Sequence, residues 1–553
     1  MLQILIQLIL ILFISFEFGI IFSSMFKIDF EKPSQIFVIG LINICIIARI
    51  WHFWLPINQF LLFTLIFSAI LGAIILRRKQ VSHLISIINI VYNNWLIFLL
   101  SFSFLIFFSS LTSISYDEGL YHAGFIKWLN KYPEVFGLAN VNVSYGFNSN
   151  WHLLSAVFNG YNLFDTTANC INASIILIFV LHFLWPGAGS KEFKGGHSII
   201  FLFFPLIIIY HLIDASADLI VGIFTFSFLL DFFLDYINLD RKKEGDSFFW
   251  FYTFIFLITV KMNAVLIAPI FIYFAYNIYL TNRSFYKTHI TKLLLLASLI
   301  IIPWVISNII LSGYIVYPYL PIKFLEYKWT VPNEVVKLEL SGINYSPVVK
   351  WAHISFEQAE KMNKIQIFIL WFKSIRVIEK CILLIFFSTI PILLLKTYIQ
   401  KQRFIIILLS SFTLIAYTLM VPDIRFFFGV GFAFLSYALL SYKYNLRFFL
   451  GKTACTFIIV LQMITTLILY KHLYPKILGI NEKTLMVNLV QKSKYGYPTY
   501  NSLFIGKGNI IFISPQESNS EFCWDMIPCL TIENKKLRMI NDNEISDGFY
   551  QEK

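Results

Sequence analysis

The sequence predicts an all-α polytopic membrane protein of about 14 transmembrane helices, with small extracytoplasmic α/β elements. Three observations carry this. Of 553 residues, 58% are hydrophobic and 13% charged, more apolar surface than a soluble fold can hide. Apolar runs of roughly 17–25 residues, the length that crosses a bilayer as a helix, recur along most of the chain. Backbone in lipid must satisfy its own hydrogen bonds, which for runs of this length means helix.

The candidate spans centre near residues 3–22, 35–51, 57–76, 94–111, 168–185, 198–213, 217–236, 248–262, 264–280, 292–311, 378–396, 404–421, 426–441 and 450–470. The first run, from Leu2 to about Ile21, has no basic start and no small-residue cleavage site, so it reads as a retained span. The segment 151–164 is too short to cross and reads as interfacial or re-entrant. Polar regions at 112–167 and about 313–377 interrupt the spans. The chain thus divides into a transmembrane domain, 1–470, and a polar tail or small domain, 471–553. Alternating runs in that tail, such as NSLFIGKGNIIFISP, suggest short strands. No repeat of fixed period is evident.

A net charge of +12 would suggest nucleic acid in a soluble protein. In this chain it reflects Lys and Arg held in cytoplasmic turns, so the expected partner is the lipid bilayer and no nucleic acid. Six basic clusters mark those turns: Arg77-Arg78-Lys79, Lys191/Lys194, Arg241-Lys242-Lys243, Arg283/Lys287/Lys292, Lys396/Lys401/Arg403 and Lys443/Arg447. Counting spans between them puts 112–167, 214–216, the 262 region, 313–377, 422–425 and the tail outside. Lys27, Lys32 and Arg49 give no clear vote. Cys45, Cys170, Cys381 and Cys455 lie in apolar runs as packing residues. Cys523 and Cys529 lie in the tail, where an oxidising compartment permits a disulfide.

This orientation gathers the polar residues that do not belong in lipid on one face. Asp117 and Glu118 follow the fourth span. Asp214 and Asp218 sit in HLIDASADLIVG, Lys261 interrupts FLITVKMNAVLIAPI, Asn308 occurs in PWVISNIILSGYIVYPYLP, and Asp423 and Arg425 fall in VPDIRFFFGV. Each has a plainer explanation. Asp117, Asp214 or Asp218 would serve as helix caps, Glu118 and His122 as an i,i+4 surface pair, Lys261 as a snorkelling lysine, and Asp423 with Arg425 as a local ion pair. As a set, ionisable groups converging on one membrane face point to a functional site. Carboxylates there suit deprotonation of a hydroxyl, and Lys and Arg suit a phosphate and its leaving charge. The aromatics Tyr116, Tyr121, Trp128, Tyr145 and Trp151 read as interface anchors, with sugar stacking as the alternative.

These residues together resemble the GT-C superfamily of membrane glycosyltransferases, in the lipid-linked-sugar branch of aminoarabinose transferases and protein O-mannosyltransferases. DEGLYHAG resembles that branch's acidic motif in the first extracytoplasmic loop. SADLIVG resembles its later Asp, TVKMNAVLIAP its Lys, and PDIRFFF its late Arg. The strings YDEGLYH, YGFNSNWH, SGYIVYPYLP, PDIRF and CWDMIPC are similar to a bacterial family of uncharacterised polytopic membrane proteins from cell-surface polysaccharide contexts. The likeness spans about residues 110 to 530. About three spans precede the acidic loop, where GT-C enzymes usually have one, which implies an N-terminal addition.

The resemblance implies a multi-pass enzyme of the bacterial inner membrane with its active site facing the extracytoplasmic side. It would transfer a sugar, with inversion, from a polyprenyl-phosphate donor to a hydroxyl on a glycan, lipid or protein. Asp117 becomes the general base, with Glu118 as partner or alternative. Lys261 and Arg425 hold the departing phosphate, and Asp218, His122, Asn308 and Tyr121 complete the binding set. A divalent cation beside Asp117 and Glu118 would find oxygen ligands, though these alone do not establish one. The competing expectations are an O-antigen-type polymerase or ligase, which would work through Arg or His of the late outer loop, and a lipid-linked glycan transporter or flippase. A transporter usually carries inverted repeats and midplane charges.

Overall fold

Leu2–Phe26 (α1) and Pro33–His52 (α2) form an antiparallel hairpin whose contact is made by small residues. A Cβ on Gly19 would overlap the Ile36 carbonyl oxygen, and one on Gly40 the Ser15 carbonyl oxygen. The two backbones therefore touch, the close packing that small residues permit between membrane helices. The computed structural model describes residues 1–111, 113, 115–164, 167–185, 211–212, 214–235, 244–281, 283–319, 325–398, 401–441, 460–461, 464, 500–504, 511–515, 522–530, 534 and 536–552.

Gln59–Ile75 (α3), capped by the Asn58 side chain on the Phe60 N–H, meets Arg77–Asn93 (α4) at a 96° bend. α4 opens on Arg77, Arg78 and Lys79 and exposes Val81, Leu84, Ile85 and Ile88. α4 thus pairs a basic start with an exposed apolar side across the bend from α3. Trp95–Ser109 (α5) leads to the polar region, which is built from a π-helical turn at Glu118–His122, Ala123–Lys131 (α6), Asn150–Phe158 (α7) and Tyr161–Phe164 (α8). There follow Ile171–Leu184 (α9), Asp218–Asp235 (α10), Glu244–Val260 (α11), Ala268–Thr281 (α12) and Arg283–Ser312 (α13). The second polar region holds Asn333–Ala352 (α14), Phe356–Glu360 (α15) and Lys364–Ser374 (α16). Val377–Thr397 (α17), Lys401–Met420 (α18) and Ile424–Ser441 (α19) complete the bundle.

The described residues are mostly helical, as expected. Among the described residues, five helices are long and apolar enough to cross a membrane: Leu2–Phe26, Pro33–His52, Met262–Leu280, Thr288–Ser312 and Val377–Thr397, or up to six if α3 and α4 count as one broken span. Trp95–Ser109, Ile171–Leu184, Phe404–Met420 and Ile424–Leu439 are apolar but shorter. α9, with 14 residues, rises about 21 Å against about 30 Å of hydrocarbon, and all its residues are buried. Helices enclosed by others look like spans in hydropathy without matching bilayer thickness. The expected span 198–213 falls almost wholly outside the described residues, as does 450–470. The same holds for the basic clusters at 191/194, 241–243 and 443/447.

Two polar layers sit at opposite ends of α10. At its C-terminal end Lys32 Nζ donates to Asp231 at 2.6 Å, and His182 lies 3.3 Å from the same carboxylate. At its N-terminal end Asp218 joins the candidate site. There the first polar region is pinned to the bundle by a buried network. Arg49 donates to Asn150 and Ser307, and Ser307 donates to Glu134 at 2.6 Å. The tail contributes two antiparallel pairs, Tyr500–Phe504 (β1) with Ile511–Pro515 (β2), and Leu537–Met539 (β3) with Phe549–Gln551 (β4). Cys523 and Cys529 are disulfide-bonded. The Phe549 N–H donates to the Phe136 carbonyl at 2.8 Å, so the tail docks on the first polar region.

Candidate functional site

Glycines set the distance between the two helices that open on the site. α10 and α19 run side by side in the same direction. A Cβ on Gly429 would stand 2.5 Å from the Gly222 carbonyl oxygen, and one on Gly222 would enter the Phe428 ring. Backbone contact at this level brings the N-termini of both helices together, Asp218 on one and Arg425 on the other. Both helix dipoles direct their positive ends there. Lys261 arrives from a third direction. Its extended backbone breaks α11 from a 3-10 turn at Met262–Ile267, and the Tyr417 hydroxyl donates to the Asn263 carbonyl to hold that turn.

The charged groups form a continuous chain. Arg425 Nη1 donates to Asp117 Oδ2 at 2.8 Å and lies 3.9 Å from Asp218 Oδ2. Arg425 Nε stands 3.2 Å from Asp423 Oδ2. Lys261 Nζ donates to Asp218 Oδ1 in a short ion pair. The Phe426 ring stands below both cations, 4.6 Å from Lys261 Nζ and 4.9 Å from the Arg425 guanidinium carbon. The side chains of Asp117, Lys261 and Arg425 are 29, 30 and 33% exposed, against 3% for Asp218. The site is therefore open to a ligand on its Asp117 side. Burial pushes the Asp117 carboxyl up, but Arg425, His122 and Lys261 together outweigh it and hold the group down at about 2.

Glu118 takes a different place from its neighbour. It is fully buried, with Asn169 Nδ2 donating to Oε1 at 2.6 Å and the Ala215 N–H to Oε2 at 3.0 Å. His122 Nδ1 is 3.3 Å from the same Oε2. Glu118 thus ties the acidic loop to the segments before α9 and α10, and Asp117 is the member of the pair that meets the cations. This donor set does not suit a divalent cation, since N–H groups take both Glu118 oxygens and a guanidinium takes Asp117. Among the described residues no group of three or more His, Cys, Asp or Glu is placed to hold a metal.

The remaining expected residues divide. Tyr121 packs edge-on against His122, with centroids 4.3 Å apart, and His122 lies 4.6 Å from His152. Burial, with the nearby charges of Asp117, Asp218 and Glu339, raises the Tyr121 hydroxyl well above its ordinary value. Asn308 stands apart from the ionic chain, accepting from Asn148 at 2.8 Å and donating to the Ile315 carbonyl at 2.9 Å. It belongs to the network that pins the loop.

Two contributions escaped the sequence reading. Phe426 is one of 60 phenylalanines, and its only signal is its place after Arg425 in PDIRFFF, which gives it no role of its own. Glu339, on α14, accepts from the Ser144 hydroxyl at 3.1 Å, and burial raises its carboxyl. It lies in NEVVKLEL, which reads as an ordinary solvated helix. The tail also reaches the loop. The Trp524 N–H donates to the Gly119 carbonyl at 2.9 Å, and a Cβ on Gly119 would stand 2.8 Å from the Phe522 ring.

Among curated proteins and among solved structures, nothing matches the chain. A protein family described as "Domain of unknown function (DUF8201)" matches residues 1–432, which takes in every charged residue of the site. With most of its 553 residues covered by that match, the chain belongs to the DUF8201 family.

Proposed function

We propose that this protein is a GT-C-like membrane glycosyltransferase of the bacterial inner membrane. It moves a sugar from a polyprenyl-phosphate donor to an acceptor hydroxyl on the extracytoplasmic face, in the synthesis of a cell-surface glycan or glycolipid. One observation carries this reading: an accessible carboxylate, Asp117, lies against two cations, Arg425 and Lys261, where two helix N-termini meet at one end of an apolar bundle. The acceptor oxygen bonds to the anomeric carbon as the bond from that carbon to the phosphate oxygen breaks. The electron pair leaves on the phosphate, so a diester monoanion becomes a monoester dianion. Lys261 and Arg425 meet the added charge, and Asp117 takes the acceptor proton. A single displacement inverts the anomeric centre.

The rival readings find less support. A polymerase or ligase would use Arg or His of the late loop, yet Arg376 is taken up over the Trp351 ring, 5.2 Å from its centroid. A flippase or transporter would carry its charges near the middle of its helices, whereas Asp218 and Arg425 begin theirs.

The test is transfer of label from polyprenyl-phosphate sugars, radiolabelled in the sugar, to a cell-envelope fraction by membranes containing the protein. Wild type is expected to transfer label, with Asp117→Asn and Arg425→Gln reduced on the order of 100-fold or more at equal protein. Full turnover by Asp117→Asn, or no transfer from any such donor, would refute the reading.

A further inference from the structure

The free site is saturated with its own counter-charges. Three carboxylates, Asp117, Asp218 and Asp423, stand around two cations, Arg425 and Lys261. A phosphate approaching the pair meets an excess of negative charge, and neither cation is unengaged. Asp218 is buried at the start of α10, where its carboxylate accepts from Lys261 and the Ser216 hydroxyl while its backbone N–H donates to that same Ser216 oxygen, so it cannot withdraw. Asp117 can. It sits in the loop after α5 with its carboxylate part-exposed, and its single described hydrogen bond is to Arg425. Directly following it, the Glu118 anchor and the Trp524 contact at Gly119 hold the backbone in place. The side chain alone is free to turn.

Resting on the glycosyltransferase reading, we infer that Asp117 is a built-in competitor of the donor phosphate. The phosphate displaces Asp117 from Arg425, and the exchange releases Asp117 as the base. Before exchange the carboxylate is neutralised by a guanidinium and makes a poor base. After exchange Arg425 is neutralised by the phosphate, and the unpaired carboxylate regains basicity beside the acceptor. The device makes donor binding a precondition for deprotonating the acceptor, so an empty site does not activate water or acceptor. Its atoms balance simply: one ion pair, Asp117–Arg425, is exchanged for another, phosphate–Arg425, with no bond formed or broken until the transfer step.

The consequence is opposite to that of an ordinary binding residue. Removing the Asp117 charge should tighten phosphate binding while abolishing turnover. The assay is equilibrium binding of a polyprenyl monophosphate to the purified full-length protein in mixed micelles, with the matching polyprenol as the uncharged control. Asp117→Asn is expected to bind the monophosphate about three- to fivefold more tightly than wild type, the upper part of the range for losing competition from a part-exposed ion pair. In an Arg425→Gln background the same substitution should change affinity less than twofold, because the cation being contested is gone. Polyprenol affinity should be the same in every variant, which separates exchange of charge from altered folding. Equal or weaker monophosphate binding by Asp117→Asn, with wild type binding normally, overturns the exchange and leaves the proposed activity standing. No monophosphate binding by wild type or any variant overturns both.

Discussion

Replacing Glu118 by alanine separates the two members of the acidic pair by what each holds. The Glu118 carboxylate accepts from Asn169 at 2.6 Å and from the Ala215 N–H at 3.0 Å, in a fully buried position. Hydrogen bonds to a charged acceptor contribute about 1.5–3 kcal/mol each. The alanine variant also leaves a buried backbone N–H unpaired and a cavity behind it. Glu118→Ala should therefore destabilise the protein by about 3–5 kcal/mol. Glu118→Gln should cost only about 1 kcal/mol, because the Asn169 amide can turn its oxygen, unpaired in the present arrangement, toward the new donor. Asp117→Asn should stay within about 1 kcal/mol of wild type, since its ion pair is part-exposed. Thermal unfolding of the purified proteins in detergent, followed by tryptophan fluorescence, gives the ranking. An alanine variant as stable as wild type, or an Asp117→Asn variant as unstable as Glu118→Ala, would show that the division of roles is wrong.

The Asp117 carboxyl is held at about 2 against an ordinary 3.8. A depressed carboxylate contributes stability that is present above its unfolded value and lost as pH falls through the folded one. Wild type should thus exceed Asp117→Asn by a constant amount above pH ~5, of order 1 kcal/mol after solvent screening, with the gap closing between about pH 4 and 2; a gap unchanged down to pH 2 would refute the pairing. At the helix contact, Gly429→Val must push α19 off the Gly222 backbone, at about 1–3 kcal/mol. Its unfolding midpoint should fall accordingly, and an unchanged midpoint would mean the close approach is not required.

Much of the site was legible because charge in an apolar setting is conspicuous. Asp218, Lys261 and Arg425 each stand alone against a hydrophobic run, and desolvation makes such residues stay only where something pairs them. The sidedness of the basic clusters then put them in one compartment, and the structure joins all three in a chain of ion pairs, Lys261 to Asp218 to Arg425, that ends on Asp117. Asn308 was conspicuous by the same criterion and belongs elsewhere, since a buried amide is satisfied equally well by a structural network. The span count was less legible because hydropathy records burial without distinguishing lipid from protein. α9 is enclosed by its neighbours and too short for the bilayer, yet its composition is that of a span.

The sequence by itself determined the helical and apolar character of the chain and the chemical type of its charged cluster, because these follow from composition and local pattern. It also placed the cysteine pair and the strand-forming runs of the tail. Only the tertiary structure decided which acid meets the cations. Asp117 and Glu118 are adjacent, and one helical step turns a side chain by about 100°. Which of them faces Arg425 depends on partners 51 and 97 positions away, Asn169 and Ala215, that claim Glu118. The approach of Asp218 to Arg425 was likewise decided by Gly222 and Gly429, whose missing side chains act only once two distant helices lie side by side.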